Sequence, residues 1–133
     1  MFNNQTALDA KRIGVLSCPI GTTLGDAAKF MVREDISTLV VTDTDGCLAG
    51  IITRTDLLRA FLTVENWEKR LIEEFMNPDV ITVSPQTKLE QVARLMLEKR
   101  IHRVVVVRDD DGKDSPISVV SSADLVYHMV KDI

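Results

Sequence analysis

The chain of 133 residues is 45% hydrophobic, 27% charged and only 5% aromatic, which suits a folded protein with a buried core. Twenty acidic and 16 basic side chains leave a formal charge of −4, so nucleic acid phosphate is not favoured as the main target. No apolar run approaches the roughly 20 residues that cross a bilayer. The opening residues are polar and unlike a signal peptide, and Cys18 and Cys47 make neither a CxxC pair nor a disulfide framework. These features imply a cytoplasmic protein with no membrane association.

Taken in order, the chain reads as a polar leader (1–12), a first unit (13–62), a connector (63–79) and a second unit (80–131). Shifted by 65 positions, Val15, Thr22, Leu24, Ala28, Met31, Ile36, Val40 and Val41 fall on Val80, Thr87, Leu89, Ala93, Met96, Ile101, Val105 and Val106. After an insertion of three residues in the polar stretch Asp109 to Ser115, Ile51, Ile52, Thr53, Asp56 and Leu57 meet Val119, Val120, Ser121, Asp124 and Leu125. That stretch reads as a surface turn.

The first unit opens with a strand over Ile13 to Ser17. A helix marked by Ala27, Phe30 and Met31 follows, then a strand over Thr38 to Thr42 and an Asp- and Gly-rich turn. A strand at Gly50-Ile51-Ile52-Thr53 and a helix near Thr55 to Leu62 complete it. The connector reads as a charged helix over Glu65 to Phe75, stopped by Met76-Asn77-Pro78-Asp79. The second unit repeats the order: a strand over Val80 to Val83, a helix opening with the capping pattern Thr87-Lys88-Leu89-Glu90, strands at Arg103 to Val107 and Ile117 to Val120, and a helix over Ala123 to Val130. The order is β-α-β-β-α, twice, an α/β fold of the α+β type. Val104 to Val107 is too apolar for a strand wet on one face. The two units are therefore expected to pack face to face, with pseudo-twofold symmetry and two equivalent clefts.

Both units place a hydroxyl at a strand end and a carboxylate three residues on: Thr53 with Asp56, and Ser121 with Asp124. One reading is a helix cap, the acid facing the positive end of the helix dipole. The other is a ligand site, because a strand end feeding a helix N-terminus binds anionic groups and its carboxylate can accept ribose hydroxyls.

The repeat, the strand-hydroxyl-x-x-Asp-Leu endings and the stretch Asp79-Val80-Ile81-Thr82-Val83-Ser84-Pro85 resemble a tandem pair of CBS domains, the Bateman module, over Ile13 to Val130. The resemblance implies a regulatory module that senses AMP, ADP, ATP or S-adenosylmethionine, needs no cofactor, and signals to a separate effector protein. It places Thr53 and Asp56 with Asp79 and Ile81 in one cleft, and Ser121 and Asp124 with Gly14 and Leu16 in the other. His102-Arg103 matches a pair that contacts phosphates in the AMP-activated kinase members. Ser37-Thr38 holds those positions in the first unit, so the basic end is assigned to the Asp56 cleft, with Arg54 adding a guanidinium. Gly50 leaves room for close approach and Ser118 replaces it in the second unit, which favours the Asp56 cleft.

Nothing in the residues supports catalysis. The two histidines, His102 and His128, make no metal cluster, and there is no P-loop, GxSxG or dinucleotide fingerprint. Cys18 reads as an inert thiol and His128 as a surface or interface residue. The final helices carry Leu57, Leu58, Ala60, Phe61 and Leu62, then Leu125, Val126, Tyr127, Met129 and Val130, apolar on more than one face. A homodimer through these helices is expected. The alternative function is a ligand-free dimerisation or docking module in which Asp56 and Asp124 serve only as caps.

Overall fold

The duplicated pattern folds into the same arrangement twice, as seen in a computed structural model that describes residues 2–11, 14–131 and 133. The chain runs α1 (Ala7–Ala10), β1 (Ser17–Pro19), α2 (Leu24–Glu34), β2 (Thr38–Thr42), β3 (Leu48–Thr53) and α3 (Arg54–Thr63). It continues through two 3-10 turns (Trp67–Lys69 and Ile72–Glu74) to β4 (Thr82–Val83), α4 (Leu89–Lys99), β5 (Arg103–Asp110), β6 (Lys113–Ser121) and α5 (Ser122–Val130). Two compact units result: Leu16–Val80, and Met1–Val15 joined with Ile81–Ile133.

Each unit holds a three-stranded sheet, ordered β1-β2-β3 or β4-β5-β6, in which the first pair is parallel and the second antiparallel. Helical and strand periodicities meet in each core. In the Leu16–Val80 unit, Leu24, Ala27 and Met31 of α2 pack with Leu39 and Val41 of β2 and Ile52 of β3. Leu89, Val92 and Met96 of α4 pack likewise with Val104 and Val106 of β5 and Val120 of β6. All four valines from Val104 to Val107 are buried.

Several expectations are corrected. The first strands start later than their apolar runs suggest, at Ser17 and Thr82; Ile13 lies outside the described residues. Pro19, which lacks an N–H, is tolerated because β1 is a sheet edge. The surface turn expected over Asp109 to Ser115 is narrower, at Asp111 and Gly112, because β5 and β6 pair out to Asp110 and Lys113. Asp111 (φ 52°) and Gly112 (φ 85°) close the ribbon with the two positive-φ residues of a type I′ turn, whose twist matches that of paired strands. Thr87 does not cap α4. Its hydroxyl instead accepts the Ser84 amide at 3.1 Å, and the Gln91 carboxamide accepts the Lys88 amide.

The connector is not a helix. Its two 3-10 turns are separated by extended Arg70 and Leu71, because this backbone is used by α2. The Leu24 amide donates to Arg70 O (2.8 Å), and the Ile72 amide to Thr22 O (2.8 Å). The leader does the same for α4: the Leu89 amide donates to Gln5 O (2.9 Å), and the Ala7 amide to Thr87 O (2.7 Å). Gln5, Thr6, Ala7 and Asp9 stand 65 positions before Arg70, Leu71, Ile72 and Glu74, so the repeat extends further toward the N-terminus than its apolar pattern shows. The Thr6 amide is accepted by Asp9 and the Leu71 amide by Glu74. Both carboxyls are held below their ordinary range, Asp9 chiefly by the Thr6 amide and Glu74 chiefly by the Arg70 guanidinium. Each unit is thus completed by the segment that precedes the other copy in sequence. The leader is accordingly not merely polar: Ala7 and Ala10 are buried in the Ile81–Ile133 core.

Gly50 does permit a close approach, and what approaches is the chain itself. A Cβ there would lie 2.8 Å from the Asn77 carbonyl oxygen and 2.8 Å from Met76 Sδ. Asn77 pairs in both directions with Ile51, at 3.0 and 2.8 Å. Gly50→Ala is therefore expected to cost about 1–3 kcal/mol through overpacking, read as a lower urea midpoint with an unchanged m-value.

Candidate functional site

The polar residues that recur in both copies meet where the last strand of each unit enters its last helix. Thr53 is extended (φ −119°, ψ 166°), and its hydroxyl accepts the Asp56 amide at 3.3 Å. Asp56 Oδ2 in return accepts the Thr53 amide (2.8 Å) and the Thr53 hydroxyl (2.9 Å). The β6–α5 junction repeats this: Ser121 Oγ accepts the Asp124 amide at 3.3 Å, and Asp124 Oδ2 accepts the Ser121 amide (2.8 Å) and hydroxyl (3.1 Å). Both motifs are reciprocal capping boxes.

Capping uses mainly one oxygen of each carboxylate. Asp56 Oδ1 meets the Arg59 guanidinium at 3.4 Å, and the Asp56 and Asp124 side chains stay 20% and 24% exposed. An ionised carboxylate has about four lone-pair positions, so each retains acceptor capacity beyond the cap.

The neighbouring strand sets what surrounds each junction. Thr38 lies opposite Thr53 in register, and Arg103 opposite Ser121. The first helical amides, of Arg54 and Ser122, donate to Ser37 O (3.1 Å) and His102 O (2.8 Å). Within their own unit, His102 and Arg103 are therefore neighbours of Ser121 and Ser122, while Ser37 and Thr38 accompany Thr53. His102 is exposed and Arg103 half-buried. Thr38 Oγ1 is a buried hydroxyl without a hydrogen-bond partner among the described residues.

The remaining predicted site residues are distributed as follows. Asp79 belongs to the unit of Asp56, its amide donating to Asn77 Oδ1 at 3.0 Å beside β3. Gly14 belongs to the unit of Asp124, its amide donating to Ile117 O on β6 at 2.9 Å. Leu16 lies in the Asp56 unit and Ile81 in the Asp124 unit. Arg54 does not stand free for a phosphate: its Nη2 pairs with Asp35 Oδ1 at 3.1 Å, at the end of α2.

Three neighbours of the site escaped the sequence reading. Arg59 follows Asp56 by three residues, a helical spacing that could have revealed it. Lys11 approaches Asp124 Oδ2 at 3.8 Å from far away in sequence, which no spacing signals. His128 is buried rather than superficial, with Nε2 2.8 Å from Ala10 O. Cys18 is half-buried, and burial, reinforced by Glu73 and opposed by a Thr22 hydrogen bond, pushes its thiol up in pKa. Such a thiol is mostly protonated at neutral pH and a poor nucleophile. Among the described residues, no three His, Cys, Asp or Glu side chains cluster to hold a metal ion, and no helix is long and apolar enough to cross a membrane.

Comparison with known proteins adds to this geometry. The CBS domain family model matches residues 10–63 and 72–131. The mitochondrial CBS domain-containing protein CBSX3 of Arabidopsis thaliana is 32% identical over 88% of this chain, and the transcriptional repressor CcpN of Bacillus subtilis 28% identical over 79%. The matches span 57% and 50% of those relatives, so the chain covers about half their length. Among solved structures, CBSX2 in complex with AMP superposes with a TM-score of 0.81 at 25% identity, covering 96% of this chain and 98% of that one. A CBS-domain protein from Agrobacterium tumefaciens superposes with a TM-score of 0.78 at 25% identity, covering 92% and 90%.

The capping geometry predicts stability effects that are independent of any ligand. Thr53→Ala and Ser121→Ala each remove a cap acceptor and are expected to cost about 1 kcal/mol in urea unfolding. Asp56→Asn and Asp124→Asn, which keep an acceptor oxygen for the same amide, are expected to cost less.

Proposed function

The chain belongs to the CBS-domain family, with two copies in tandem, and on that premise we propose that it is a regulatory module sensing an adenosine-containing ligand of the AMP, ADP or ATP class, or S-adenosylmethionine. The observation that carries this reading is the duplicated strand–helix junction, where a partly exposed carboxylate keeps acceptor capacity beyond its cap. That capacity suits ribose hydroxyls, and a hydrogen bond to a charged acceptor contributes about 1.5–3 kcal/mol. His102 and Arg103 supply the cationic element a phosphate needs in a protein of net charge −4. The AMP complex of CBSX2, alike in fold, supports the ligand class. The module transmits occupancy to a partner protein and performs no chemistry of its own.

The capping boxes also support a second reading, a ligand-free docking module, because they account for both carboxylates without any ligand. A thermal-shift panel of AMP, ADP, ATP and S-adenosylmethionine separates the two. A ligand at about 100 times its Kd adds roughly 2.7 kcal/mol of stability, a rise on the order of 5 to 10 °C. Asp56→Asn and Asp124→Asn are expected to weaken binding while the caps persist. Arg103→Ala is expected to weaken binding of AMP far more than of adenosine. No shift at millimolar ligand would leave the docking module as the function.

We also propose that the chain forms a homodimer through its helices. Each unit leaves an apolar groove between its two helices, of about 530 Å³ beside α2 and α3 and about 490 Å³ beside α4 and α5. Val32, Leu58, Phe61 and Leu62 stand exposed on the first pair, and Leu97, Val126, Tyr127 and Met129 on the second. The same groove occurring twice at equivalent positions favours a second copy as occupant, since a twofold interface joins like surfaces. Leu58→Glu with Val126→Glu is expected to convert a dimer to a folded monomer in sedimentation equilibrium; a wild-type monomer at tens of micromolar would refute the assembly.

A further inference from the structure

The two junction carboxylates receive their nearby cation from different places. Asp56 has Arg59, one turn along its own helix. Asp124 has Lys11, more than a hundred residues away in sequence, delivered by the N-terminal segment. That segment lies along α5 in a fixed order. Ala10 O receives His128 Nε2 at 2.8 Å, and four residues nearer the helix start Lys11 Nζ stands 3.8 Å from Asp124 Oδ2. Positions four apart share one helix face, so both contacts lie on the same stripe. The other end of the segment is tied to α4: the Leu89 amide donates to Gln5 O, the Ala7 amide to Thr87 O and the Leu8 amide to Pro85 O.

The equivalent piece of the other unit is fastened differently. At the positions of Ala10 and Lys11 it carries Phe75 and Met76, and at the position of His128 it has Ala60. All three belong to the apolar cluster of the Leu16–Val80 unit. Apolar packing of that kind is insensitive to salt and does not compete for a carboxylate. The N-terminal fastening also buries Ala7 and Ala10 in the core, but it ends in a charged contact that is half-exposed, with Lys11 47% accessible. Such contacts are worth only about 0.2–1 kcal/mol and are screened by ions. At these positions one unit is fastened by apolar packing and the other by a screenable charge contact.

We propose that residues 5–11 act as a strap that competes with ligand for the Asp124 carboxylate. With the strap down, the Lys11 charge beside the capping oxygen Oδ2 weakens the carboxylate as an acceptor for ribose hydroxyls; with ligand bound, the strap loses that contact and loosens. The inference rests on the ribose-acceptor role of Asp124 proposed above. By linkage the coupling is reciprocal, strap docking lowering ligand affinity by the same factor that ligand weakens the strap.

The probe is adenosine, which carries no phosphate for Lys11 to attract, titrated calorimetrically into the full chain at 20 mM salt. The Asp56→Asn background removes one of the two carboxylates so that the Asp124 junction is read alone. There Lys11→Met is expected to tighten binding by about two- to fivefold, a gain that vanishes at 0.5 M salt and is absent when Asp124→Asn is added. In the same background adenosine is expected to speed amide exchange at Ala7, Leu8 and Leu89. Unchanged or weaker binding in Lys11→Met would overturn the strap while leaving the ribose role intact. Adenosine binding to wild type but not to Asp56→Asn would also overturn it, since Asp124 would then hold no ligand. Adenosine binding to none of the proteins would overturn the ribose role itself.

Discussion

An α-helix starts with four backbone amides that have no partner inside it, and a helix packed on a sheet must find acceptors for them nearby. The starts of α2 and α4 solve this with borrowed backbone: Arg70 O for Leu24 and Gln5 O for Leu89. Much of the architecture follows from that loan. The lending segment must stay extended, so the connector cannot be one helix. Its side chains then drop into the core beside the helix they serve, Ile72 in one unit and Ala7 in the other, both fully buried. Each unit is thus completed by residues that precede the other copy in sequence.

At the opposite ends of the sheets, α3 and α5 solve the same problem with side chains. Thr53 with Asp56 and Ser121 with Asp124 close their own helix starts within three residues. Under the proposed function, the atoms that cap the helix would also be those that hold a sugar. The carboxylate has more acceptor positions than the cap consumes, and its partial exposure keeps the remainder within reach of solvent. Sharing has a physical advantage. A carboxylate fixed by two short hydrogen bonds is already oriented, so a ligand meeting it does not have to bear the entropy of ordering a free side chain.

The two copies diverge where the shared scheme allows it. The longer β5–β6 ribbon grows from an insertion at a turn, where extra length is cheaply accommodated, and a type I′ turn keeps it paired. Gly50, pressed by Met76 and Asn77, has no such latitude. The fastening of the N-terminal segment carries Lys11 and His128 where the other unit has Met76 and Ala60.

Local pattern in the amino-acid sequence determined the duplicated β-α-β-β-α order, the core residues of both units and the hydroxyl-x-x-Asp junctions, because periodicity and capping act over a few residues. The family was legible on the same grounds. Spacing left open whether Asp56 and Asp124 cap a helix; the observed hydrogen bonds show that they do. Only tertiary structure decided that the leader completes the unit of Ile81–Ile133 and the connector that of Leu16–Val80. It also decided that Lys11 reaches Asp124, that Arg54 turns to Asp35 and that His128 is buried. Those contacts join residues from 19 to 118 positions apart. No repeat period or cap signal spans such distances, so only the folded backbone could bring those groups together.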